Sequence, residues 1–172
     1  MKTKLTLLLA LACCAFGQTV DTLPAHLIGF GPTWNRGANN PYSADLNFAV
    51  RVGTTKFYSY TSVATPISFQ TGGQPVASSI TTGGAYVAVQ SAGGAVSLVF
   101  IAQAGFSSLQ QTSTISPQFS GSVGVDFRIG KSPVHVMPFA KAANASTSAT
   151  SGALATAVLQ PGIQVLFSFG GK

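Results

Sequence analysis

The stretch Phe119-Ser120-Gly121-Ser122-Val123-Gly124-Val125-Asp126-Phe127-Arg128-Ile129 decides the fold. Phe119, Gly121, Val123, Val125, Phe127 and Ile129 make one apolar or small row. Ser120, Ser122, Gly124, Asp126 and Arg128 make the other, polar or small. Side chains along a strand point alternately to two faces, so this period of two reads as a strand with one apolar and one polar side. The same alternation runs through Ala44 to Val52, where Leu46, Phe48, Val50 and Val52 oppose Asp45, Asn47, Ala49 and Arg51. It returns in Val96 to Phe106 and in Ile163, Val165, Phe167 and Phe169 near the end of the chain. No stretch after Gln18 shows a helical period with capping residues.

Eight such segments can be drawn, at about 27–34, 43–52, 56–66, 77–90, 95–107, 117–129, 133–143 and 154–169. Their connections alternate in length. Gly53-Thr54-Thr55, Ser91-Ala92-Gly93-Gly94 and Gly130-Lys131-Ser132 are tight, whereas 35–42, 67–76, 108–116 and 144–153 are long and polar. An even number of strands of about ten residues, with short turns at one end and long loops at the other, is the layout of a transmembrane barrel. The expected class is all-β, an eight-stranded antiparallel up-and-down transmembrane β-barrel following a cleaved signal peptide.

Composition supports the inside-out arrangement. Charged residues are 7% of the 172, against about 25% in ordinary soluble domains. Glutamate is absent; Asp21, Asp45 and Asp126 face nine Lys and Arg, and 46% of residues are hydrophobic. A catalytic carboxylate pair, a multi-carboxylate calcium site and a charged helical bundle are hard to build from this inventory. The polar faces are too small and too poor in charge to make the outer shell of a soluble barrel. A secreted soluble β-sandwich or adhesive module is the alternative that the Ser, Thr and Gly content and the strand prolines Pro138 and Pro161 would suit. A strand proline forfeits a ladder donor, so Pro138 and Pro161 are expected at bulges or near the rim.

At the N-terminus, Lys2 and Lys4 precede a run from Leu5 to Phe16 that is apolar or small apart from Thr6, and Ala15-Phe16-Gly17 places small residues before Gln18. This is the three-part pattern of a secretory signal, too short for a membrane helix. The expected division is a signal peptide over 1–17, a periplasmic segment over 18–26, the barrel over 27–169 and a tail over 170–172. Cleavage would remove Cys13 and Cys14, and with them disulfides, thiolate metal sites and cysteine nucleophiles.

With these segments in place, Leu27 to Phe169 resembles the small eight-stranded bacterial outer-membrane barrels of the OmpX and OmpA transmembrane-domain kind. The resemblance implies residence in the outer membrane of a diderm bacterium, with both termini in the periplasm. It also implies outer-membrane lipid and the outer-membrane assembly machinery as partners. A C-terminal strand with a late Phe guides insertion in those families, which makes Val165, Phe167 and Phe169 the expected assembly signal. Gly170-Gly171-Lys172 departs from the family, which usually ends on the aromatic.

Setting Lys131 and Ser132 at a turn tip places Arg128 opposite His135 and Ser122 opposite Lys141. If that face is the lumen, Asp126, Arg128, His135 and Lys141 form a polar cluster, with Arg51 and Asn47 reaching it from across the barrel. Eight strands leave an interior just wide enough for side chains, so the cluster reads as a self-satisfied filling rather than a wide pore. No catalytic set, cofactor or metal centre is expected; a lipid-modifying barrel enzyme would need a serine and an orienting acid around His135. Trp34 and Tyr42 suit an interfacial belt. Tyr58 and Tyr60 point inward if Thr54-Thr55 is the turn tip, and outward if the register slips by one. The basic residues are dispersed, so no nucleic acid is expected. The four long loops are the surface available to an extracellular ligand.

Overall fold

The computed structural model describes residues 23–34, 42–67, 77–109, 114–144 and 157–170. The expected leader and cleavage site, most of the long connections and Gly171-Lys172 lie outside the described residues. Eight strands follow in chain order: β1 (His26–Trp34), β2 (Tyr42–Arg51), β3 (Phe57–Pro66), β4 (Ala77–Gln90), β5 (Val96–Leu109), β6 (Thr114–Arg128), β7 (Val134–Asn144) and β8 (Ala157–Phe169). Each pairs antiparallel with its sequence neighbours, and β8 pairs with β1 to close an up-and-down barrel. The closed sheet replaces the sandwich alternative.

Strand tilt can be followed along the ladders. His26 pairs with Val50, Val50 with Ser59, Ser59 with Gly84, Gly84 with Ala102, Ala102 with Gly121, Gly121 with Ala142 and Ala142 with Leu159. Leu159 lies past Gly162, the β8 residue opposite Thr33. A line leaving the foot of β1 thus returns beyond its last pair, which is the stagger that closing eight strands demands.

The expected register is the observed one: Arg128 faces His135 and Ser122 faces Lys141. Tyr58 and Tyr60 point inward and are buried at 4% and 5% exposure. The prolines meet the expectation of bulges or rim positions only in part. Pro161 lies past the last β1–β8 pair, near the rim. Pro138 sits at neither a bulge nor a rim. The β6–β7 ladder runs to Gly124–Phe139, omits two pairs, and resumes at Phe127–Val136 in unchanged register. Pro32 leaves the same gap between Phe30–Val165 and Thr33–Gly162 in the β1–β8 ladder. A proline lacking its donor costs local pairing but need not shift the strand. The register shift among the described residues lies instead in β4–β5, between Val87 and Val89.

The outer face is apolar. Phe30, Phe48, Phe100 and Ile163 stand exposed at mid-height, and among the described residues no Asp, Lys or Arg of any strand points outward. Trp34 lies beside Tyr42 at the long-connection end, near the level of Phe106 and Phe119. Phe57, Phe127 and Phe169 ring the tight-turn end, where Phe57 packs on Tyr86 with ring centres 4.6 Å apart.

Inside, the backbone is pinched at particular glycines. A Cβ on Gly31 would strike the carbonyl oxygen of Ile163, and one on Gly83 that of Ala102. At Gly121, on the outer face, the nearest atom would be 4.0 Å away. Gly31→Ala and Gly83→Ala are therefore expected to destabilise the barrel by about 1–3 kcal/mol, the cost of overpacking, while Gly121→Ala stays near neutral. Urea midpoints of the refolded barrel in lipid would check the ranking; an equal loss at Gly121 would contradict it.

Candidate functional site

Inward side chains divide the lumen into three levels. Near the tight turns sit Arg51, Asp126, Arg128 and His135. Asp126 Oδ2 lies 2.9 Å from His135 Nδ1, and because a carboxylate only accepts, the imidazole N–H donates. Asp126 Oδ1 and His135 Nε2 are buried with no hydrogen-bond partner. Arg51 donates from Nε to Thr55 O at 2.8 Å and from Nη2 to Thr54 O at 2.9 Å. Its Nη1 reaches inward to Leu23 O at 2.9 Å. Arg128 donates from Nε to Ser132 O at 3.2 Å.

The segment before β1 takes part in this level. It lies not apart from the barrel but across its mouth. Leu23 is buried in the lumen, Tyr58 Oη donates to Pro24 O at 2.8 Å, Arg51 N to Ala25 O at 2.8 Å, and Ala25 N to Gly170 O at 3.1 Å. Three carbonyls and one N–H of a short extended run are thereby satisfied, and the mouth is stoppered by backbone as well as side chains.

Above it Leu23, Ala49, Tyr58, Ala85, Val87, Val99, Met137 and Leu166 form one packed apolar cluster, with Leu27 against it. The space left there is a cavity of about 40 Å³. Tyr60 Oη donates to Gln164 Oε1 at 3.2 Å, a bar from β3 to β8 at the upper edge of that cluster. Towards the long connections the inner wall turns polar and small-sided: Thr33, Ser43, Asp45, Asn47, Ser62, Thr81, Ser107 and Lys141 are all buried.

All five residues expected in the lumen do face it, but they do not form one cluster. Asp126 and His135 meet. Arg51 and Arg128 are held at their own turns. Lys141 stands three residues from the far end of β7, at the opposite end of the barrel. Two features escaped the sequence reading. One is the stopper, since Leu23-Pro24-Ala25 carries no periodicity. The other is a repeated turn. Arg51-Val52-Gly53-Thr54-Thr55 and Arg128-Ile129-Gly130-Lys131-Ser132 share Arg, β-branched, Gly, x, hydroxyl, and they fold alike. Thr55 Oγ1 donates to Val52 O at 2.7 Å and Ser132 Oγ to Ile129 O at 2.6 Å, while Gly53 and Gly130 have φ of 59° and 58°. The repeat was there to be seen in the residues.

The chemistry this arrangement supports is limited. Ser97 is buried directly opposite Asp126 in the β5–β6 register, whereas His135 lies beyond Asp126 on β7. The acid sits between serine and imidazole, the wrong order for a relay in which histidine takes the serine proton. Val165, Phe167 and Phe169 all lie on the outer face, with Phe167 stacked on Phe30 at 6.2 Å between ring centres.

Among solved structures the chain is similar to Neisserial surface protein A, NspA, with a TM-score of 0.55 at 10% sequence identity, covering 84% of this chain and 94% of that one. At that identity the likeness establishes the fold. Comparison with models of known protein families finds no match, and comparison with curated proteins finds none either.

If the Asp126–His135 contact stabilises the barrel, the two residues must couple. A double-mutant cycle of Asp126→Ala and His135→Ala should show a coupling of about 1–3 kcal/mol in urea unfolding, typical of groups in one hydrogen-bonded network. Tyr58→Phe, which strips the donor from Pro24 O, should cost about 1 kcal/mol. Strict additivity of Asp126→Ala and His135→Ala would mean that the pair contributes nothing.

Proposed function

We propose that the protein is an integral outer-membrane β-barrel with a filled lumen, serving a structural or surface-interaction role, with no enzymatic activity and no wide pore. The observation that carries this is the outer face. Every charged strand side chain among the described residues points inward, and aromatic residues ring both ends of an apolar band. In water such a surface would be a large exposed apolar patch; in a bilayer it is the required one. The apolar cluster and the stopper support a closed interior. The signal pattern of residues 1–17 supports export, and the closed up-and-down strand order is consistent with the resemblance to small outer-membrane barrels. On this reading the partners are outer-membrane lipid, the assembly machinery and an extracellular ligand taken by the loops 35–42, 67–76, 108–116 and 144–153.

Fractionation tests the address. The folded protein should be recovered in the outer-membrane fraction and migrate differently on a detergent gel before and after boiling. Recovery as a soluble protein in the medium would refute the proposal. Orientation follows from single cysteines at Ser148 and Ser132. An impermeant thiol reagent applied to whole cells should label position 148 and spare 132, and the reverse would invert the topology.

Val165, Phe167 and Phe169 are proposed as the assembly signal. Burying a Phe side chain is worth roughly 1.5–3 kcal/mol, so loss of one lipid-facing Phe should weaken the barrel without preventing it. Phe169→Ala should lower the inserted, heat-modifiable fraction more than Phe127→Ala at matched expression. Equal losses would make Phe169 ordinary outer surface.

A further inference from the structure

Lys141 is the feature that the filled-lumen reading leaves unexplained. As a residue it is 7% exposed on the inner wall of β7, but its Nζ is not among the fully buried side-chain atoms without a partner, so the stem is covered while the ammonium meets the solvent of the lumen. Its register partner Ser122 offers a hydroxyl but no compensating charge, and among the described residues no salt bridge to Lys141 forms. The complementary group lies across the lumen. Asp45 sits three residues from the far end of β2, as Lys141 does on β7, so the two occupy the same level, with β8 and β1 between them.

Asp45 accepts from Thr33 Oγ1 at 2.7 Å and Ser43 Oγ at 3.2 Å. A carboxylate offers about four lone-pair sites, so half of its capacity is open. Asp45 and Lys141 are not bonded to each other. Asn47 Nδ2, one step deeper on the face of Asp45, is buried without a partner, and so is Ser107 Oγ. The floor is the Tyr60–Gln164 bar. Gln103, Ser120 and Ser122 face the same space and remain half-exposed, which keeps it reachable.

We propose that this end of the lumen is a binding vestibule for a small zwitterion of the α-amino-acid class, its carboxylate on the Lys141 ammonium and its ammonium on the Asp45 carboxylate. The vestibule holds one charge of each sign on walls three strand positions apart. A simple anion would satisfy Lys141 but meet Asp45, and a simple cation would do the reverse. A dipolar molecule meets both, and Asn47 Nδ2 supplies a further donor to its carboxylate. The proposal depends on the barrel alone, not on its cellular address.

The test uses the refolded, purified barrel in detergent micelles, with glycine, acetate and methylammonium titrated separately and backbone amide shifts followed by NMR. Glycine should give saturable shifts at residues 45, 47 and 141. Acetate and methylammonium should bind at least about tenfold more weakly, as loss of one charged contact implies. Lys141→Met and Asp45→Asn, each checked for heat-modifiable migration, should each weaken glycine binding by a similar factor. Absence of saturable glycine shifts overturns the proposal. So does acetate binding as well as glycine, which would mean that Lys141 takes any small anion. Should either variant fail to fold, the comparison of the three probes on the unmodified chain decides alone.

Discussion

Closure of the sheet through the β1–β8 ladder is the constraint on which the rest depends. An open eight-stranded sheet would present two rows of unpaired N–H and C=O groups; a closed one presents none. Closure fixes the stagger, the stagger fixes the tilt, and the tilt brings inward side chains of distant strands to common levels. It also explains how the prolines are borne. Pro32 and Pro138 each silence a short stretch of one ladder, while the ladder on the other side of the same strand continues: Pro32 pairs with Ala44 and Pro138 with Ile163. Since every strand has two neighbours, a local gap on one side leaves it anchored by the other.

Closure also forces a choice about charge. Each strand has one inner and one outer face, and a barrel with an apolar outside must take every charged strand residue into a narrow interior. That interior cannot hold them freely. The turn end meets the demand with backbone carbonyls and one acid–imidazole pair, the middle excludes polar groups almost entirely, and the far end keeps its two opposite charges on separate walls. The apolar middle is then a consequence of spacing as much as of composition. Only at the ends do turn carbonyls, loop backbone or water come within reach of a charged head.

Most of this architecture was legible because a period of two propagates without ambiguity once a turn is located. Placing Gly130-Lys131-Ser132 at a tip is enough to set Arg128 against His135, and the same logic turns Tyr58 and Tyr60 inward. What periodicity gives is a face and a register; it does not give height across several strands. Lys141 and Asp126 share the inner face of one hairpin, so they read as neighbours. The register alone separates them by several pairs along the barrel, and only the tilted closure shows that Lys141 shares a level with Asp45 instead. The stopper was illegible for another reason. Leu23-Pro24-Ala25 is held through its backbone, by Arg51 and Tyr58, and backbone acceptors leave no mark in a side-chain pattern.

The two copies of the Arg-turn show how one residue decides what each wall does. The turns stand four strands apart in a ring of eight, on opposite walls, and each presents an inward pair, Arg51 with Tyr58 and Arg128 with His135. Two residues before the arginine, one copy has Asp126 and the other Ala49. Where the acid is present, the polar side chain opposite its arginine turns to it: His135 gives its N–H to Asp126. Where alanine stands instead, the side chains keep their donors, and Arg51 Nη1 and Tyr58 Oη aim at whatever acceptors enter the mouth. An extended segment such as Leu23-Pro24-Ala25 offers carbonyls and no competing charge, and proline at its centre removes a donor that would otherwise need a partner. The segment therefore docks on the wall that lacks the carboxylate, for an acid there would take up the donors that hold it.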